Sequence, residues 1–193
     1  MEQARLFLEQ TVAQIPRQWT SIAKEKGRDV IHAWTSDEFV AFRDFRERAG
    51  DFDPIAWLGG SYSHGYYLLA WMANERHDHR AALELLEVAL RFEPDHPDVL
   101  CLKAFFLRQM DCVEDAVATY RQALTMRPWA TKTQQARAWR GLGGCLIDLE
   151  RMDEAEAALQ QSLSFAPDSP MACSELDFIR GGRRKSSALP MDS

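Results

Sequence analysis

The densest group of chemistry-bearing side chains in this 193-residue sequence is Glu75, His77, Asp78 and His79. These residue types ligate divalent metals or exchange protons near neutral pH. A metal site takes its remaining ligands from a second group at matching spacing, and no second Cys or His pair stands in register with this one. The four cysteines, Cys101, Cys112, Cys145 and Cys173, lack the spacing of a zinc ribbon or a C-x-x-C redox site. Cys101, Cys145 and Cys173 fall inside amphipathic segments, where a free thiol behaves as a small buried hydrophobe. No glycine-rich phosphate loop, nucleophile elbow or paired-carboxylate motif is present. The sequence therefore predicts a non-enzymatic protein with no metal and no cofactor, its histidine cluster a solvated turn.

Composition narrows the class further. Hydrophobic residues make up 46% and charged residues 27%, a globular balance able to bury a core. With 23 Lys and Arg against 29 Asp and Glu, the net charge is -6, which argues against nucleic acid as ligand because phosphate neutralisation needs clustered positive charge. No run reaches the roughly 20 apolar residues of a membrane span. Glu2, Arg5 and Glu9 near the start argue against a secretory signal, and a cytoplasmic or other reducing location is expected.

The elements that position these side chains follow from an internal repeat. Ala82, Leu86, Ala89, Leu90 and Pro94 recur 34 residues later as Ala116, Tyr120, Ala123, Leu124 and Pro128. A third copy reads Ala155, Leu159, Ser162, Leu163 and Pro167, 39 residues beyond the second, with the extra five residues expected within 129–134. Each copy has a first half, carried by Tyr66, Leu69, Ala70 and Ala73, then Leu100, Ala104 and Leu107, then Trp139, Leu142, Gly143 and Leu146. Spacings of three and four are one face of an α-helix, so each copy predicts a helical hairpin. The small residues Ala70, Ala104, Gly143, Ala82, Ala116 and Ala155 mark where paired helices approach, and the prolines stop each second helix.

This pattern resembles the tetratricopeptide repeat, whose Trp-x-x-Leu-Gly-x-x-Leu signature stands here as Trp139 to Leu146. The resemblance covers residues 63–168 and implies an all-α solenoid of three repeats. Copies one and two depart from it, with Tyr66 and Leu100 for the aromatic and Ala for the Gly. A solenoid needs caps for its terminal apolar faces. Ser169-Pro170 opens a capping helix with Ala172, Leu176 and Ile179 on one side, expected to stop at Gly181-Gly182 ahead of a disordered tail at 181–193. The chain thus divides into 1–60, a helical region packed on the first repeat, with a degenerate repeat pair as the alternative; 61–180, the repeats with the capping helix; and the tail. Within 1–60 the expectation is a helix over Glu2–Ile15, a helical stretch between Trp19 and Trp34, a helix capped by Ser36 carrying Phe39, Val40, Phe42 and Phe45, and another from Asp53-Pro54 through Trp57.

In proteins of this kind the first helix of each repeat lines a concave surface. The resemblance places His64, Tyr67, Trp71 and Asn74 there from copy one, Cys101, Phe105 and Arg108 from copy two with Asp98 beside them, and Arg137, Arg140 and Gly144 from copy three with Asp148. The ten other than the two aspartates are the candidate partner-binding residues. Relatives that clamp a C-terminal carboxylate place Lys and Asn where Tyr67 and Trp71 stand, so heat-shock chaperone tails are not the expected ligand. An aromatic strip on a concave wall suits capture of a polypeptide segment, unless the protein's own leading helices fill it. The architecture is also similar to class II chaperones of bacterial type III secretion. The resulting expectation is a protein-binding chaperone or adaptor. A constitutive structural subunit or homodimer, and an inhibitor or immunity protein, stand as alternatives.

Overall fold

A computed structural model of the chain describes residues 2–14, 19–25 and 27–187. The fold is an all-α helical solenoid of paired hairpins, with a small sheet set in its N-terminal region. Seven helices form the solenoid and its end: α3 (Tyr62–Asn74), α4 (His79–Phe92), α5 (Pro97–Gln109), α6 (Val113–Thr125), α7 (Lys132–Asp148), α8 (Met152–Phe165) and α9 (Pro170–Ser187). Preceding them are α1 (Glu2–Val12) and α2 (Ser36–Arg48).

The repeat positions do what their sizes dictate. Ala70, Ala82, Ala104, Ala116 and Ala155 are wholly buried at the crossings. A Cβ added to Gly143 would stand 2.8 Å from Leu159 Cγ, so this crossing admits nothing larger than glycine without movement. The turn within each hairpin is also repeated. His77, Asp111 and Glu150 take φ of 58°, 62° and 57°, and the following amides of Asp78, Cys112 and Arg151 donate to the carbonyls of Ala73, Leu107 and Leu146 at 2.9–3.1 Å. That is the Schellman closure of a helix end, built here without glycine. Asp78 then caps α4 by accepting the Ala81 N–H at 3.0 Å. The histidine cluster is thus interrupted by a residue committed to capping.

The extra residues of copy three are shared between a longer α6–α7 connection, which carries Arg127 and Trp129, and an additional first turn of α7. Thr131 and Gln134 close that turn as a reciprocal capping box.

The N-terminal region departs from the helical expectation in two places. Between Trp19 and Trp34 lie two strands, β1 (Ile22–Glu25) and β2 (Arg28–Ile31), and the segment after Asp53-Pro54 is a strand, β3 (Ile55–Trp57). The sheet order is β1-β2-β3, antiparallel with Ile22 opposite Ile31 and then parallel with Ile31 opposite Trp57. A parallel pair needs a crossover, and α2 supplies it. Its N-cap is Thr35, with Ser36 the first helical residue. Strands of three and four residues are too short to show a two-residue period, so the sequence carries no strand signal there. Ile31, Ala33 and Phe42 pack with Trp129 of the α6–α7 connection into a separate small core. Arg46 of α2 holds Asp29 of β2 at 2.9 Å and Asp51 at 2.7 Å.

At the other end, Ala172, Leu176 and Ile179 of α9 are buried against the solenoid. The helix runs through Gly181 and Gly182 to Ser187 instead of stopping at the glycines. The remaining tail positions, 188–193, lie outside the described residues, as does the proline at 16 expected to end α1. Cys101 and Cys145 are buried as expected, whereas Cys173 is exposed, on the face of α9 turned away from the core.

Candidate functional site

The inward faces of α3, α5 and α7 enclose a cleft of about 390 Å³. Tyr67, Trp71 and Asn74 form one wall, Cys101 and Phe105 the base beside it, and Arg137 and Arg140 the far wall. These seven were among the ten candidates from sequence. Asp98, placed on the same face by the sequence reading though not among the ten, lines the cleft beside them, and Leu102, Tyr120 and Gly141, which were missed, complete the lining. Tyr120 sits on α6, the second helix of its hairpin, at the place held by leucine in the other copies. Its ring reaches the cleft because Gly141 has no side chain: a Cβ there would fall 2.2 Å from Tyr120 Cζ. The signal was present in the sequence as a tyrosine in a leucine position and a glycine one turn after Arg137 and next to Arg140.

Exposure separates wall from core. Trp71 is 45% exposed and Phe105 40%, large values for such side chains in a folded protein. Cys101 is only 4% exposed, and burial pushes its thiol far above the ordinary value, so it contributes contact and not thiolate chemistry. Burial, aided by Asp98, also raises the Tyr67 phenol.

The cations differ in their commitments. Arg137 is paired with Asp98. Arg108 is held by Asp148 through two hydrogen bonds, at 2.5 and 2.9 Å. Its guanidinium covers Gly144, where a Cβ would meet Nη1 at 2.6 Å. Gly144 therefore makes room for Arg108, which accounts for this glycine without a ligand backbone. Arg140 has no carboxylate within ion-pair distance among the described residues; its Nη1 lies against Met171 Sδ. Glu175 of α9 faces this end with a buried, unpartnered Oε2, and burial raises its carboxyl.

The remaining candidate, His64, lies on the same face of α3 but is covered by the chain itself. Trp34, in the connection from β2 to α2, stacks on the His64 ring at 4.4 Å and on His96 at 3.7 Å, with Tyr67 5.2 Å away. The N-terminal region thus closes one end of the concave surface with a single indole and leaves Trp71 and Phe105 open, and leading helices do not fill the groove.

Below Trp34 is a buried polar network that sequence reasoning missed. Glu38 accepts the Trp34 N–H at 2.8 Å and a Gln134 Nε2–H at 2.5 Å. The same Gln134 amide donates to Asp98 at 2.8 Å. Trp34 Nε1 donates to Glu93 at 3.1 Å, and Arg127 pairs with Glu93 at 3.2 Å and with Asp95 at 2.7 Å. Burial opposes ionisation of Glu38, but His96, the Trp34 amide and Arg127 together outweigh it and hold the carboxyl below its usual range. Glu38, His96 and Asp98 bring donor atoms within 4.8 Å of one another, a ligand set in composition. Gln134 and Arg137 already donate to those carboxylates, so the group works as an ion-pair network.

Residues 95–168 match the tetratricopeptide-repeat family model. Among curated proteins, the mouse Protein O-mannosyl-transferase TMTC1 is 31% identical over 111 residues, 55% of this chain. The chain spans only 11% of that protein's length. Among solved structures, the Sgt2 TPR domain from Aspergillus fumigatus superposes with a TM-score of 0.61 at 19% identity, covering 69% of this chain and 89% of that one. The first TPR of Spaghetti (RPAP3), solved bound to the HSP90 peptide SRMEEVD, gives 0.57 at 14% identity, covering 63% and 93%. These likenesses show the fold: a helical solenoid of the tetratricopeptide-repeat type.

Proposed function

We propose that this tetratricopeptide-repeat chain is a non-enzymatic adaptor or chaperone that holds a segment of another protein in its concave cleft. The observation that carries this is the open aromatic wall of Trp71 and Phe105 facing Arg140. A large apolar side chain fits a cleft of this size, and aromatic walls give much contact area at small entropic cost. Covering Arg140 without a counter-charge is costly, so the fitting segment sets a carboxylate beside its apolar anchor. Tyr67 and Trp71 stand where a terminal-carboxylate clamp needs polar donors, which separates this cleft from the mode of the HSP90-peptide complex.

A narrower form of the reading is a cytoplasmic bacterial secretion chaperone that shields an apolar export substrate. Its support is the layout of leading region, three repeats and capping helix, together with the apolar strip. A homodimer or a permanent subunit is the alternative use of the same surface.

The test is selection of a displayed random heptamer library on the protein. The expected enrichment is a large apolar residue with Asp or Glu close by, and Arg140→Gln should erase the acidic preference while keeping the apolar one. Enrichment of nothing above background would end the reading.

A further inference from the structure

We propose that His64 and His96 form a second, aromatic-accepting subsite of the concave channel, filled in cis by Trp34, and that a partner segment bearing a planar aromatic side chain takes Trp34's place there. The inference rests on the cleft reading and extends it by one subsite and one ligand class.

Three observations support it. His64 belongs to the inward face of α3, one turn from Tyr67 and two from Trp71, so the ring over it lies on the same channel. Trp34 is held between two imidazole planes, at interplanar angles of 13° and 18°, which is recognition of a flat ring by stacking from both sides. Both ring nitrogens of His96 are buried without a hydrogen-bond partner, Nε2 lying 3.1 Å from Glu38, so the ring carries polar atoms that the fold leaves over beside the stacked indole. Continuity with the open cleft comes from Tyr67, which touches Trp34 on one side and lines the cleft on the other.

Exchange of one ring for another is local. Trp34 lies on the short connection between Ile31, the end of β2, and Ser36, the start of α2, so its ring can withdraw by torsion of loop residues while strand and helix persist. The bond its ring makes is to Glu93, which also binds Ser61 and Arg127 and keeps those donors when the ring leaves; the bond to Glu38 is from the Trp34 backbone N–H and does not require the ring. A partner residue with an indole N–H finds Glu93 in the same position.

The experiment uses the full chain and a probe of its own sequence, the acetylated and amidated peptide Ile-His-Ala-Trp-Thr-Ser of residues 31–36, with a control in which its Trp is Ala. The readout is the NMR position of the His64 and His96 ring protons. In Trp34→Ala the probe should shift both signals saturably and the control should bind at least about tenfold more weakly; wild type should respond at least about tenfold more weakly than the variant. If Trp34→Ala does not unfold cooperatively, Trp34→Leu, which retains apolar bulk without a plane, is titrated in its place with the same expectation. Equal response of wild type and variant, or no response of the variant, overturns the subsite. Neither readout involves Trp71 or Phe105, so failure here leaves the cleft untouched, and failure of the library selection leaves this result standing.

Discussion

Two glycines three positions apart in α7 carry opposite expectations, because what each would strike differs in stiffness. At Gly141 a Cβ collides with the ring of Tyr120, itself 5% exposed and unable to move without opening the core. Gly141→Ala should therefore destabilise by about 1–3 kcal/mol despite alanine's better helix propensity. At Gly144 the obstacle is the end of the flexible Arg108 side chain, and Gly144→Ala should stay within about 1 kcal/mol of the parent, propensity offsetting a loosened Arg108–Asp148 pair. Urea unfolding of both variants decides the matter. Glu38 supplies the acid behaviour. Its folded carboxyl ionises below the ordinary value of about 4.5, so its contribution is complete above that pH and is lost as pH falls through the lower folded value. His64, held low by burial and by His96, adds a loss in the same direction that begins as pH falls below about 6.5. Stability followed by Trp fluorescence should decline in these two stages, and Glu38→Gln should flatten the lower one while the upper one persists or deepens, because the Glu38 charge partly offsets the lowering at His64. Neither Glu38 nor His96 was legible in the sequence as a partner of the other, because a contact between residues 58 positions apart leaves no local pattern.

Elements were legible in proportion to how often they repeat. The three hairpins could be read because five positions recur at fixed offsets, each answering the same packing need. The turns between paired helices repeat as faithfully in backbone as the helices do in sequence, although His77, Asp111 and Glu150 share no chemistry. A left-handed conformation costs a non-glycine residue roughly 1 kcal/mol or more. Glu150 is exposed, so Glu150→Gly should raise the unfolding free energy by about 1 kcal/mol in urea melts. The strands β1, β2 and β3 had no such signature. Each is three or four residues long, and the β2–β3 pairing depends on α2 bringing distant segments together, which no window of sequence displays. Gly181 and Gly182 read as a stop, but an exposed helix tolerates glycine at about 1 kcal/mol each, and α9 continues past them.

On the scale of the whole molecule, the solenoid and its N-terminal region divide the concave surface. One end is sealed by Trp34 over His64 and His96, and the other is left open between Trp71 and Arg140. Sequence identified most of the open part, since register alone fixes which helical positions face inward. It missed the closure, which comes from a connector that belongs to no repeat. The most direct measurement is the combined change of Tyr67, Trp71 and Phe105 to Ala, assayed for binding of a library-selected segment and for stability in the same preparation. The expected result is a loss of affinity of about 100-fold or more with helical content and cooperative unfolding retained. Retained affinity, or collapse of the fold, would show that these rings serve the core of this protein and not a partner.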